Sequence, residues 1–151
     1  MTKIVAFAVV MLAAAACGGT ENTASTSPTP TGVIVVDLVG KTVAGQTENV
    51  LTDTKAMTLY YLTSDTPTSV ACSGQCATFW PPLLLQSGDP ASGTSLPAKL
   101  TVATTTNGRQ VLYDGHPLYA FSKDKTSNDA KGEGIKAFGG VWHVATPQIS
   151  S

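Results

Sequence analysis

Two tyrosine–aspartate pairs are the first residues in this sequence whose types and spacing suggest chemistry. Tyr60 precedes Asp65, and Tyr119 precedes Asp124, by the same five positions. Two phenol–carboxylate pairs on one domain could line a cleft for a polar ligand. The competing reading is that each tyrosine packs a core while each aspartate caps a turn. In an extended strand Tyr119 and Phe121 share one face, Leu118 and Ala120 the other, and the same alternation pairs Tyr60 with Leu62. Asp124 sits at an odd offset from Tyr119, which places it past the strand end, where a carboxylate bonds loop N–H groups. The two histidines, His116 and His143, fall in no metal-ligand spacing and read as a turn and a strand residue. Met57 and the cysteines would make a soft copper site only if the fold gathered them. No Gly-x-Ser-x-Gly elbow or paired catalytic carboxylates occur, so no catalytic residue and no cofactor is expected.

Composition narrows the field further. Of 151 residues 42% are hydrophobic and 13% charged, with a formal net charge of −1. A chain without a basic stripe does not attract phosphates, so nucleic acid is not an expected partner. Its apolar residues are concentrated in the run Ile4–Ala16, which follows Lys3 and is too short to span a hydrocarbon core; residues 1–16 read as an export signal. The run ends Leu12-Ala13-Ala14-Ala15-Ala16-Cys17-Gly18-Gly19, which resembles the lipobox of bacterial lipoproteins. That resemblance makes Cys17 the lipidated new N-terminus, although Ala14 stands where leucine is commonest. The expected location is extracytoplasmic, anchored to the bacterial cell membrane through acyl chains.

With Cys17 acylated, Cys72 and Cys76 remain as an even pair in an oxidising compartment. On a helical turn positions i and i+4 lie about 6 Å apart, within reach of a disulfide. A redox-active or copper-binding dithiol is the functional alternative, and it would make the protein an envelope electron-transfer or metal-handling lipoprotein.

Positioning these groups falls to strands. Residues 17–31 comprise Cys17 and a Gly/Ser/Thr/Pro-rich tract that cannot bury enough surface to fold. This tether has an r.m.s. span of roughly 20 Å and could accept O-linked sugars. Beyond it, Val33–Val39 reads as a strand ending at Gly40. Asn107-Gly108 and Asp114-Gly115 separate three β-prone runs, Leu100–Thr106, Arg109–Tyr113 and His116–Phe121, as in an antiparallel meander. A short helix is expected around Ser73–Phe79, stopped by Trp80-Pro81-Pro82. Gly132-Glu133-Gly134 and Gly139-Gly140 allow tight turns before a last strand, Val141–Val144.

The halves also repeat. Leu51-Thr52-Asp53, Leu59-Tyr60-Tyr61-Leu62-Thr63-Ser64-Asp65 and Trp80 with Pro82 correspond to Leu112-Tyr113-Asp114, Leu118-Tyr119-Ala120-Phe121-Ser122-Lys123-Asp124 and Trp142 with Pro147. The chain thereby resembles the bacterial secreted-repeat lipoproteins with a duplicated Tyr-x-aromatic-x-x-Asp motif. Tyr119, Phe121 and Asp124 meet the strict form, whereas Leu62 replaces the aromatic residue between Tyr60 and Asp65. The resemblance implies family membership and no defined activity. The expected architecture is one all-β, mainly antiparallel domain over residues 32–151, with repeats at about 50–82 and 109–147 and a short helical turn at the cysteine pair. The expected role is a non-enzymatic binding or structural module of the cell envelope, its partner an envelope protein or small ligand.

Overall fold

The computed structural model describes residues 31–149. The export signal, Cys17 and the tether up to Pro30 lie outside the described residues. Among the described residues the fold is all-β with one short helix. Strands β1 (Val33–Val43) and β2 (Gln46–Thr52) form a hairpin, and β4 (Pro90–Ser92) joins β1 in parallel. A second sheet orders β3 (Tyr60–Leu62), β9 (Gly140–Val144) and β8 (Lys136–Ala137), and a third orders β5 (Leu100–Thr105), β6 (Gly108–Tyr113) and β7 (His116–Pro117). The helix, α1, is a single turn at Gln75–Phe79.

Three expected boundaries move. Gly40 does not end the first strand, because the β1–β2 ladder runs unbroken from Asp37↔Thr52 to Val43↔Gln46 and pairs Gly40 with Asn49. The Asn107-Gly108 signal is displaced by one residue: Thr105 pairs with Gly108, so Thr106 and Asn107 form the loop and Gly108, at φ 113°, opens β6. His116–Phe121 is not one strand of a meander. It pairs with β6 only at His116–Pro117, and by Tyr119 it has crossed to Tyr60 and Pro82. That crossing lets one short segment tie two sheets together.

Alternation decides which side chains meet. Tyr60, Leu62, Tyr119 and Phe121 enter one apolar cluster with Trp80, Trp142, Val144 and both Cys72 and Cys76. Leu59, Tyr61 and Leu118, one position out of phase, enter a second with Val36, Leu51, Val111, Tyr113 and Ala145. Both faces of the central strands are therefore buried, which removes several large aromatic surfaces from water.

The two repeats are related by an approximate twofold axis between Tyr60 and Tyr119. Each donates its N–H to the other's carbonyl, at 2.8 and 2.9 Å. The Leu51 N–H reaches the Ala145 carbonyl at 2.7 Å, and the matching bond runs from Val111 to Leu83 at 2.8 Å. Leu83 donates to Leu118 at 2.9 Å as Ala145 donates to Leu59 at 2.8 Å. These bonds equate Leu51 with Val111 rather than Leu112. They also equate Pro82, which bridges Tyr119, with Val144, which pairs with Tyr60, rather than with Pro147. Register in a sheet is a property of pairing, and one-residue slips in a short motif match are invisible until the ladder is seen.

Candidate functional site

Both motif tyrosines and both motif aspartates are buried at the axis, and each tyrosine bonds the aspartate of the other repeat. The Tyr60 hydroxyl donates to Asp124 Oδ2 at 2.6 Å, and the Tyr119 hydroxyl donates to Asp65 Oδ2 at 2.5 Å. The remaining carboxylate oxygens cap the loops that follow. Asp65 Oδ1 accepts the Ala71 N–H at 2.7 Å, and Asp124 Oδ1 accepts the Lys131 N–H at 3.0 Å. Each aspartate thus follows its strand end and bonds loop backbone, while its second oxygen crosses the repeat interface. The pairs line no cleft: Asp65 is 4% exposed and Asp124 6%.

Burial, then the bond to Asp124, raises the Tyr60 phenol above its ordinary value of 10.0. Tyr119 is raised in the same way, by burial and then by Asp65. Burial also raises the Asp65 carboxyl, opposed by its bonds to Tyr119, Ala71 and Cys72. Nearby, the ammonium of buried Lys41 donates to the Ala56 carbonyl and to Thr58 Oγ1, both at 2.8 Å. Its pKa is lowered by burial, an effect partly offset by Asp124, Asp53 and Asp129. Lys41 clamps β1 to the loop after β2.

Between the Tyr–Asp pairs lies an aromatic stack. Trp80 and Trp142, equivalent residues of the two repeats, lie parallel with centroids 3.8 Å apart, and Phe121 stacks on Trp80 at 4.2 Å. Tyr60 meets Trp80 edge-on at 5.4 Å, and Tyr119 meets Trp142 at 5.1 Å. Such contacts add roughly 0.5–1.5 kcal/mol per pair beyond the area they bury.

Residues 41–84 and 101–146 match the Lipoprotein_15 family, described as a secreted repeat of unknown function. The chain belongs to this family. The two matched segments are the two halves related by the axis, and together they make up more than half of the sequence. No curated protein and no solved structure matched the chain.

Cys72 and Cys76 form a disulfide with Cα atoms 5.1 Å apart. It pins α1 against the aromatic cluster. His116 and His143 both approach the Tyr61 ring, with centroids 4.9 and 5.8 Å away. Glu133 orients His143, its Oε1 lying 2.7 Å from Nδ1, while its Oε2 accepts the Val144 N–H at 2.7 Å. Among the described residues no group of three His, Cys, Asp or Glu side chains is placed to hold a metal ion.

An apolar groove of about 240 Å³ opens beside the stack, lined by Phe79, Trp80, Phe121, Ile135, Ala137, Phe138 and Lys123. It escaped sequence reasoning because its walls come from segments far apart in the chain. The walls also break the repeat symmetry. The Trp80 N–H bonds the carbonyl of Cys76, four residues back, whereas the Trp142 N–H bonds that of Ile135, seven back. The extra residues in the second repeat form the β8–β9 turn, Phe138-Gly139, with φ 54° and 85°. A left-handed backbone costs a side-chain-bearing residue roughly 1–2 kcal/mol. The one signal in the sequence was Phe138 before two glycines, where a hairpin turn ordinarily carries asparagine or glycine.

Proposed function

We propose that this secreted repeat protein is a lipid-anchored, non-enzymatic binding module of the bacterial envelope, held at the membrane by acylated Cys17. The two repeats form one rigid platform. The observation that carries this reading is the reciprocal Tyr60–Asp124 and Tyr119–Asp65 pairing. The strongest candidate acid–base groups are spent on each other and on backbone N–H groups inside the domain. They hold the halves together and present no acid or base at an open surface. The surface available for binding is then the groove beside the stack, and its ligand is apolar. Pairing of Cys72 with Cys76 as a disulfide supports a bracing role over a metal-holding dithiol.

Detergent-phase partitioning tests the anchor. Wild type is expected in the detergent phase and Cys17→Ala in the aqueous phase; equal aqueous distribution of both would refute anchoring. Asp65→Asn and Asp124→Asn test the role of the pairs. They are expected to lower stability, and a screen in which either variant abolished ligand binding or hydrolase turnover while stability held would revive a site at the axis.

A further inference from the structure

Phe79 and Phe138 are 43% and 41% exposed and both line one groove, on elements the repeat does not share. Phe79 ends α1, which the disulfide holds in place, and Phe138 tops the hairpin turn peculiar to the second repeat. Two other two-residue turns use the same left-handed backbone and place Ala44 and Asp114 where this one places phenylalanine. A ring that large, in an unfavourable conformation and facing solvent, contributes little to packing. Strain retained at an exposed position points to use.

The one charged side chain in the groove lining is a cation. Lys123 lines it, and no carboxylate does. The Lys125 ammonium is bonded to the Ser122 carbonyl at 2.6 Å, and the Ser122 N–H is bonded to the Phe79 carbonyl at 2.9 Å, so a second cation lies at the same rim. Asp124 on this segment is buried against Tyr60, and Asp129, whose Oδ2 accepts the Lys125 N–H at 2.7 Å, is paired with the Lys131 ammonium at 2.9 Å. The whole chain carries a net charge of −1, so this cationic, aromatic face gives the domain a preferred orientation toward an anionic surface.

We propose that the Phe79–Phe138 groove is a membrane-docking face, which seats the two rings at the headgroup–acyl boundary of an anionic phospholipid bilayer while Lys123 and Lys125 meet the headgroups. The choice of a lipid surface rests on the anchored reading above. The described domain begins at Thr31, 14 residues beyond Cys17, and the coil dimensions expected of a Ser/Thr/Pro-rich sequence of that length give an r.m.s. span of roughly 20 Å from the bilayer. At such an effective concentration a weak interfacial contact is enough to dock it. Aromatic rings beside lysines are the side chains that favour that interface.

The two tryptophans provide the test, because Trp80 forms part of the groove lining and Trp142 stacks on it. The secreted chain is mixed with a saturating excess of phosphatidylcholine vesicles containing about a quarter phosphatidylglycerol and bromine-labelled acyl chains, and tryptophan quenching is followed. Flotation of the same samples reports the anchor separately. Quenching is expected for wild type, and its loss in Phe79→Ser and in Phe138→Asn. Lys123→Ala should weaken the docked fraction read by quenching, roughly fivefold in the docking equilibrium, and high salt should weaken it for wild type. Phe138→Asn relieves the left-handed backbone and should melt at a higher temperature, so its loss of quenching would not be a folding defect. Wild type that floats without being quenched overturns docking and leaves the anchor standing. Quenching unchanged in both phenylalanine variants also overturns it, as does sedimentation showing that the groove is covered by a second copy of the chain.

Discussion

Replacing Tyr60 or Tyr119 by phenylalanine removes one oxygen from the repeat interface and leaves both rings in the stack, so the two variants weigh the hydrogen bonds alone. Tyr119→Phe takes away the bond to Asp65 Oδ2 but leaves Oδ1 satisfied by Ala71. A bond to a charged group contributes roughly 1.5–3 kcal/mol, so the expected loss is about 2 kcal/mol. Tyr60→Phe removes the bond to Asp124 and also unpairs the buried Gly132 N–H, which donates to the Tyr60 hydroxyl at 3.2 Å. Orphaning that group adds roughly 1–3 kcal/mol, for a total near 4 kcal/mol. Urea unfolding followed by circular dichroism should show the midpoint falling by about 1 M for Tyr119→Phe and by about twice that for Tyr60→Phe. The Tyr119→Phe penalty should shrink in mild acid. Burial raises the Asp65 pKa, so this carboxyl takes up its proton above the ordinary 3.8, and its bond to Tyr119 then joins two neutral groups. Losses below about 0.5 kcal/mol for both variants would refute the claim that the crossed pairs hold the halves together.

Further outcomes follow from the same core. A Cβ on Gly132 would lie 2.7 Å from ring atoms of both Trp80 and Tyr60, so Gly132→Ala should cost roughly 1–3 kcal/mol in thermal melting, whereas Gly40→Ala, whose nearest neighbour is 3.8 Å away, should cost far less. Reducing the Cys72–Cys76 disulfide, or replacing both residues by alanine, opens a very short loop and should cost about 2 kcal/mol in the chain-entropy model, with α1 the first region to lose protection from hydrogen exchange. All four tyrosines are raised above 10.0, chiefly by burial. The folded state therefore keeps protons that the unfolded state releases, and stability should be full below pH 10 and fall as pH rises beyond it. Tyrosinate absorbance and circular dichroism should then change together; a tyrosinate signal well before unfolding would contradict the burial argument.

Much of the fold was legible because it depends on local pattern. The in-and-out alternation of Leu59-Tyr60-Tyr61-Leu62 and of Leu118-Tyr119-Ala120-Phe121 is written into consecutive residues, and Asp114-Gly115 can adopt its turn without outside help. The prolines after Trp80 end α1 by the same local chemistry. Gly40 misled because its cost inside a strand is small beside the ladder that carries β1 through it. His116–Phe121 misled because a strand carries no sign of where it will change sheets.

The sequence alone showed that the chain is repeated, put Cys72 and Cys76 within reach of a disulfide, and offered a loop cap after a strand as one reading of each aspartate. The last two rest on neighbours within a few residues, and the repeat on comparing two local patterns. Only the tertiary structure decided that Tyr60 meets Asp124 and Tyr119 meets Asp65, at separations of 64 and 54 residues. The five-residue spacing within each motif fixes where the carboxylate lies along the chain. Which phenol it receives depends on how two halves, each unable to bury its aromatic face alone, close on one another. The groove likewise exists only after that closure, because Phe79 and Phe138 come from the two places where the halves differ.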